Sequence, residues 1–141
     1  MIEEEDKELP VTEEWLLNLM EELFGLRSTI TTENSSKFCV VWIGELYIKV
    51  RSLLGSKGDL QDDYFRGEYK VKQVPIKAKE YAIKESVLKA IYDVMERLTY
   101  FIPANLIGQQ PRLRRLALDY SSQIKGWLQE SGKIDKPYKN I

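Results

Sequence analysis

Apolar side chains return along this chain at helical intervals in four stretches, with polar runs between them. In the first, Trp15, Leu16, Leu19, Met20, Leu23 and Phe24 recur as adjacent pairs every four residues, which draws one wide apolar face on a helix over 12–24. Thr12 is placed to cap it, Glu13 and Glu14 fill the first turn where the macrodipole favours anions, and Gly25 can end it. Residues 36–54 carry Cys39, Trp42, Ile43, Leu46, Val50 and Leu53 at helical spacing, with Ser35 or Ser36 as cap and Gly55 just beyond. Leu46, Ile48 and Val50 also alternate with Tyr47, Lys49 and Arg51 as a strand would, and Gly44 could divide the run into two strands. A stretch this long without turn punctuation exceeds an ordinary strand, which favours a buried helix.

Residues 55–67 cluster Gly, Asp and Ser and read as an exposed loop. Residues 69–72 alternate like a short strand, and Pro75 closes it. From residue 77 to 102, Tyr81, Leu88, Met95 and Ile102 lie seven apart and are joined by Ile91 and Leu98, the stripe of a long helix. Residues 103–110 form a connector. Pro111 suits a first helical position, and Leu113, Leu116, Ala117, Tyr120, Ile124, Trp127 and Leu128 carry a last helix to about 131, with Gly132 past its end. The expected fold is mainly α, a small helical bundle with a long loop or short β-hairpin near residues 55–76. It forms a single domain over 11–132, between an acidic flexible leader at 1–10 and a tail at 133–141. No internal repeat is visible in the sequence.

Composition narrows the function. A hydrophobic fraction of 43% over 141 residues fits one folded domain rather than a disordered chain. The longest apolar runs, 39–43 and 46–48, are far shorter than the roughly 20 residues a membrane span needs. The acidic start lacks the form of a signal peptide, and the single Cys39 suits a reducing cytoplasm, where it reads as a buried thiol. There is no histidine, so the usual general base and the commonest metal ligand are missing. The expectation is a non-catalytic protein without metal or cofactor.

Charge then changes the picture. Residues 1–65 hold 14 acids against 6 bases, and residues 66–141 hold 8 acids against 15 bases, so a near-neutral total of -1 hides halves of -8 and +7. A basic half beside an acidic one points to a polyanion partner. Arg112, Arg114 and Arg115 fall in the first turn of the last helix, where cations oppose the macrodipole unless an anion sits there. The bland alternative is a solvated face with Arg115 and Asp119 paired four residues apart. Arg66, Lys70, Lys72, Lys77 and Lys79 interleave with Tyr64, Phe65, Tyr69 and Tyr81, a mixture suited to clamping phosphates and stacking on unpaired bases. Glu68, Tyr69 and Lys70, with Asp59, Asp62 and Asp63 upstream, look like the acid-x-lysine element of metal-dependent nucleases, though the acids sit too close in sequence to span two paired strands.

Size, helical pattern, basic second half and missing catalytic groups together resemble the small helical subunit of CRISPR effector complexes. The resemblance is carried by residues 77–102 and 111–132 with the Arg112, Arg114 and Arg115 cluster, about half the chain, and it rests on architecture rather than on a diagnostic motif. It implies a non-catalytic subunit that lines a ribonucleoprotein complex in antiviral defence, supports single-stranded or heteroduplex nucleic acid, and contacts other protein subunits or copies of itself. The acidic first half departs from a uniformly basic profile. The competing readings are a phage or bacterial connector that closes into a ring through opposite charges, and a Mg²⁺-dependent nuclease acting through Glu68 and Lys70.

Overall fold

A computed structural model describes residues 6–31, 37–67, 78–100 and 111–132. The chain runs β1 (Glu8–Thr12), α1 (Glu13–Thr29), α2 (Lys37–Leu54), α3 (Ser56–Phe65), β2 (Glu80–Lys84), α4 (Glu85–Tyr100) and α5 (Pro111–Ser131). The described residues form a mainly helical bundle with one small antiparallel sheet, as expected. In this sheet β1 pairs with β2 in the register Glu8↔Lys84, Pro10↔Ala82 and Thr12↔Glu80, while of the 55–76 stretch residues 68–76 lie outside the described residues. Residues 8–10 thus belong to a strand rather than to a flexible leader. Pro10 is tolerated because a strand of a two-stranded sheet has one unpaired edge, where no N–H is needed.

The first helix begins as the sequence indicates, with the Thr12 hydroxyl accepting from the Trp15 N–H at 3.2 Å. It does not stop at Gly25 but continues to Thr29. A Cβ at Gly25 would lie 2.9 Å from a guanidinium nitrogen of Arg112, so this glycine is the place where α5 lays an arginine against α1. Residues 37–54 form the buried helix favoured over two strands, with Cys39, Ile43, Leu46, Tyr47, Val50 and Leu54 turned inward.

Two further expectations fail. Residues 56–65 are helical, because their charges are answered within the fold. Asp62 is buried with a side chain only 5% exposed, and it accepts from the Tyr47 hydroxyl, from Arg51 at 3.1 Å and from Arg66 at 2.9 Å. Asp59 pairs with Arg51 at 2.9 Å. Gly58 lets α3 close onto α2, since a Cβ there would lie 2.3 Å from the Arg51 carbonyl oxygen. The long helix read over 77–102 is the second departure. Residues 80–84 alternate exposed and inward positions and give their backbone bonds to β1, so the helix starts only at Glu85. The strand expected at 69–72 lies outside the described residues.

The sequence reading found no repeat, and the structure contains one. Moving the first unit forward by 72 positions turns β1 (8–12) into β2 (80–84) and the start of α1 (13) into the start of α4 (85). Buried Val11, Leu16, Leu19, Leu23 and Leu26 map onto buried Ile83, Leu88, Ile91, Met95 and Leu98. The junctions are reciprocal: the Glu13 N–H donates to the Lys79 carbonyl and the Glu85 N–H to the Lys7 carbonyl, each at 2.8 Å. Buried Cys39, Ile43, Tyr47, Val50 and Leu54 of α2 match Leu113, Ala117, Ser121, Ile124 and Leu128 of α5 at an offset of 74. Apart from α3, the described elements therefore form two strand-helix-helix units whose strands pair symmetrically about an approximate twofold axis between Pro10 and Ala82. α1 packs on α2, α4 on α5, and the ribbon of two strands joins the halves.

Candidate nucleic-acid interface

Alternation along the two strands sorts their side chains. Leu9, Val11, Tyr81 and Ile83 turn toward the helices, and Glu8, Pro10, Thr12, Glu80, Ala82 and Lys84 stay exposed. This leaves one face of the ribbon open, with no bulky side chain at its centre. Lys7 and Lys79, which are mates under the 72-residue shift, stand exposed immediately before their strands, one at each end.

The inner side of the ribbon is fixed by two buried glutamates that are also mates. Glu13 accepts from the Tyr81 hydroxyl at 3.0 Å, and Lys57 approaches its other oxygen at 3.9 Å. Burial, reinforced by the Glu13 carboxylate, pushes the Tyr81 hydroxyl up to about 12. Glu85 accepts from the Lys7 N–H at 3.1 Å and from the Ser131 hydroxyl. Asp6 accepts from the Ser86 N–H at 3.0 Å and from its hydroxyl at 2.6 Å, which caps α4. Each strand-to-helix corner is thereby tied by hydrogen bonds to the other half, and the ribbon sits on a rigid base.

The arginines singled out in the sequence lie away from this face. Arg112, Arg114 and Arg115 are exposed in the first turn of α5. Arg112 lies at Gly25, in the second half of α1, whereas Trp127 and Ser131 at the other end of α5 line a groove with Leu9 and Pro10 of the ribbon. Fifteen residues of helix separate Arg112 from Trp127, roughly 22 Å at 1.5 Å per residue. Arg112 and Arg115 share a concavity with Glu22, Asp119, Tyr120 and Gln123. Burial, with Glu22 beside it, raises the Tyr120 hydroxyl well above its usual range. Glu22 of α1 and Asp119 of α5 itself therefore share the concavity with two of the three cations, and Arg114 lies outside it.

Arg66 is held by Asp62 and lies 5.8 Å from the Phe24 ring centre, so it acts in the fold as a clamp on α3. Lys79 sits at the ribbon, its ammonium 4.8 Å from the Tyr81 ring centre. Lys70, Lys72 and Lys77 lie outside the described residues, as do Glu68 and Tyr69. Of the acids upstream in the nuclease reading, Asp59 and Asp62 are engaged by Arg51 and Arg66, and among the described residues no group of three His, Cys, Asp or Glu is arranged to hold a metal. No helix of the described residues is long and apolar enough to cross a membrane.

Sequence reasoning missed the ribbon. Its signal was present in the shared Lys-Glu that opens each strand, Lys7-Glu8 and Lys79-Glu80, followed by Glu13 and Glu85 at the same distance. No protein-family model matches the chain, and no curated protein or solved structure shows significant similarity to it.

Proposed function

We propose that this protein is a non-catalytic nucleic-acid-binding subunit whose ribbon lies in the major groove of a duplex. One observation carries the reading: a two-stranded antiparallel ribbon with an open outer face, built about an approximate twofold axis and flanked by Lys7 and Lys79. The major groove is about 12 Å wide and admits either a helix or a two-stranded ribbon, and proteins that read DNA with paired strands are a known class. Twofold symmetry in the protein matches the local dyad of a duplex. Pro10, Thr12 and Ala82 are small enough to let the backbone approach the base edges. Five residues of strand span about 17 Å, which sets Lys7 and Lys79 at opposite ends of the ribbon. Their long side chains reach phosphate by swinging round from the helix-facing side, on which Lys79 lies against Tyr81.

The ribbon face itself carries two acids, Glu8 and Glu80, against one base, Lys84, so phosphate contacts at its ends must supply the affinity. A few such contacts on a small surface bind weakly alone, which supports work inside a larger nucleoprotein assembly of the CRISPR-effector kind, where contacts add through effective concentration. Phe38, Val41 and Ile48 on the outer side of α2 are 56%, 53% and 62% exposed, which favours a protein neighbour in that assembly.

The test is duplex binding by fluorescence polarisation across a salt series. With about two phosphates neutralised by Lys7 and Lys79, log affinity falls against log salt with a slope near -2. Replacing Lys7 and Lys79 together by Ala should flatten the slope by about 2 units. Replacing Arg112, Arg114 and Arg115 should leave it nearly unchanged. The reverse pattern would move the interface to the start of α5.

A further inference from the structure

The ribbon is symmetric in its backbone and only partly so in its side chains. Under the 72-residue shift Glu8 and Glu80 are identical mates, whereas Thr12 is the mate of Lys84. Pro10 and Ala82 face each other on the axis itself and carry no polar side-chain atom. A dimer of two identical chains would be forced to present the same side chain at both positions. This chain is not, because both strands belong to one polypeptide.

Resting on the ribbon reading, we infer that the protein recognises a near-palindromic duplex site with one deliberately asymmetric position. Glu8 and Glu80 accept hydrogen bonds, and in the major groove the base donor that suits a carboxylate is the cytosine N4 amino group. They select cytosine on both sides of the dyad. Lys84 donates, and its preferred acceptors are guanine O6 and N7. Thr12 in the equivalent place is compatible with either kind of base edge. One half-site thus carries a guanine requirement that the other lacks. The central steps beneath Pro10 and Ala82 are read only by fit. Residues 8 and 12 lie four positions apart on a strand, about 13 Å, so the two read positions are about four base-pair steps apart at about 3.4 Å per step.

Selection of bound duplexes from a randomised library decides the matter, using the full chain and two variants. Wild-type protein should enrich cytosine at two dyad-related positions and guanine on one side only. K84T should lose the guanine and return a symmetric site, with affinity for the wild-type site lowered about 5- to 100-fold, the cost of one mismatched position. T12K should gain guanine on the second side. Thr12 also caps α1, so circular dichroism must first show that T12K is folded, and K84T carries the test if it is not. A symmetric site for the wild type, or an unchanged site for K84T, overturns the inference. Salt-dependent binding without any enrichment overturns it while leaving the ribbon reading in place. Failure to bind any duplex removes both.

Discussion

At the scale of single residues the most consequential group is Asp62. Burial alone would raise its pKa, but the Tyr47 hydroxyl and the Arg66 and Arg51 guanidiniums outweigh burial and hold it below the ordinary 3.8. A carboxylate depressed in the fold contributes stability that is present above the unfolded value and is lost as pH falls through the lower folded value. Tyr47→Phe removes one donor and leaves part of a buried carboxylate unanswered. It should cost about 1–3 kcal/mol at neutral pH and move acid unfolding to higher pH, read by urea titration and by circular dichroism across an acid series. An unchanged acid midpoint would show that the two arginines suffice. None of this was visible in the sequence, where Asp62 read as a solvated loop acid. Two of its three partners, Tyr47 and Arg51, lie 15 and 11 positions upstream on a different helix, where local composition carries no trace of them, and only Arg66, four residues on, is a neighbour in sequence.

Elements show which parts of the pattern were readable. The apolar stripes of α1, α2 and α5 face one continuous core, and their periodicity reports that burial directly. α3 hid because its helix is stabilised by α1 and α2 rather than by propensity. It runs along the face of α1 that carries Glu13, Leu17, Met20 and Phe24, with Lys57 near Glu13 and Phe65 stacked on Phe24 at 5.0 Å. The matching positions of α4 are Glu85, Lys89, Tyr92 and Glu96, more polar by far, so the two units share only five identities over 7–28 and 79–100. The repeat survives in which positions are buried and is nearly erased in which residues fill them. β2 hid for another reason: Tyr81 happens to continue the seven-residue spacing of α4 backwards into the strand. A glycine pair separates close packing from mere propensity. Gly58→Ala drives a Cβ into the Arg51 backbone and should destabilise by about 1–3 kcal/mol. Gly44→Ala meets nothing within 4 Å and should stabilise α2 by about 0.5–1 kcal/mol. Thermal melts of both variants check the pair, and equal shifts would contradict the close approach of α3 to α2.

For the whole molecule, the charge split along the chain does not become two bodies of opposite sign. Acidic and basic halves interlock, with Glu13 bound by Tyr81, Glu85 by Lys7 and Ser131, and α5 laid against Glu22. The candidate site was legible only in part for the same reason: Lys79 was named from local composition, while its mate Lys7 sits in a stretch that reads as acidic. Neither half closes the ribbon alone. Fragments 1–67 and 78–141 should each show less helix by circular dichroism than their share of the full chain and gain it on mixing. Full helicity in either fragment by itself would mean that each unit holds its own core.

A fused pair of like units also carries a hazard that two separate domains would not. β1 and β2 meet across a long intervening chain, and contacts so distant in sequence form late during folding, after the local α1–α2 and α4–α5 pairs. While the ribbon is still open, the first unit of one molecule can accept the second unit of another and satisfy the same hydrogen bonds. Nothing in the register of the strands distinguishes the two outcomes. Concentration decides between them, so crowded refolding will yield exchanged dimers that separate only by unfolding, and dilute refolding will yield closed monomers.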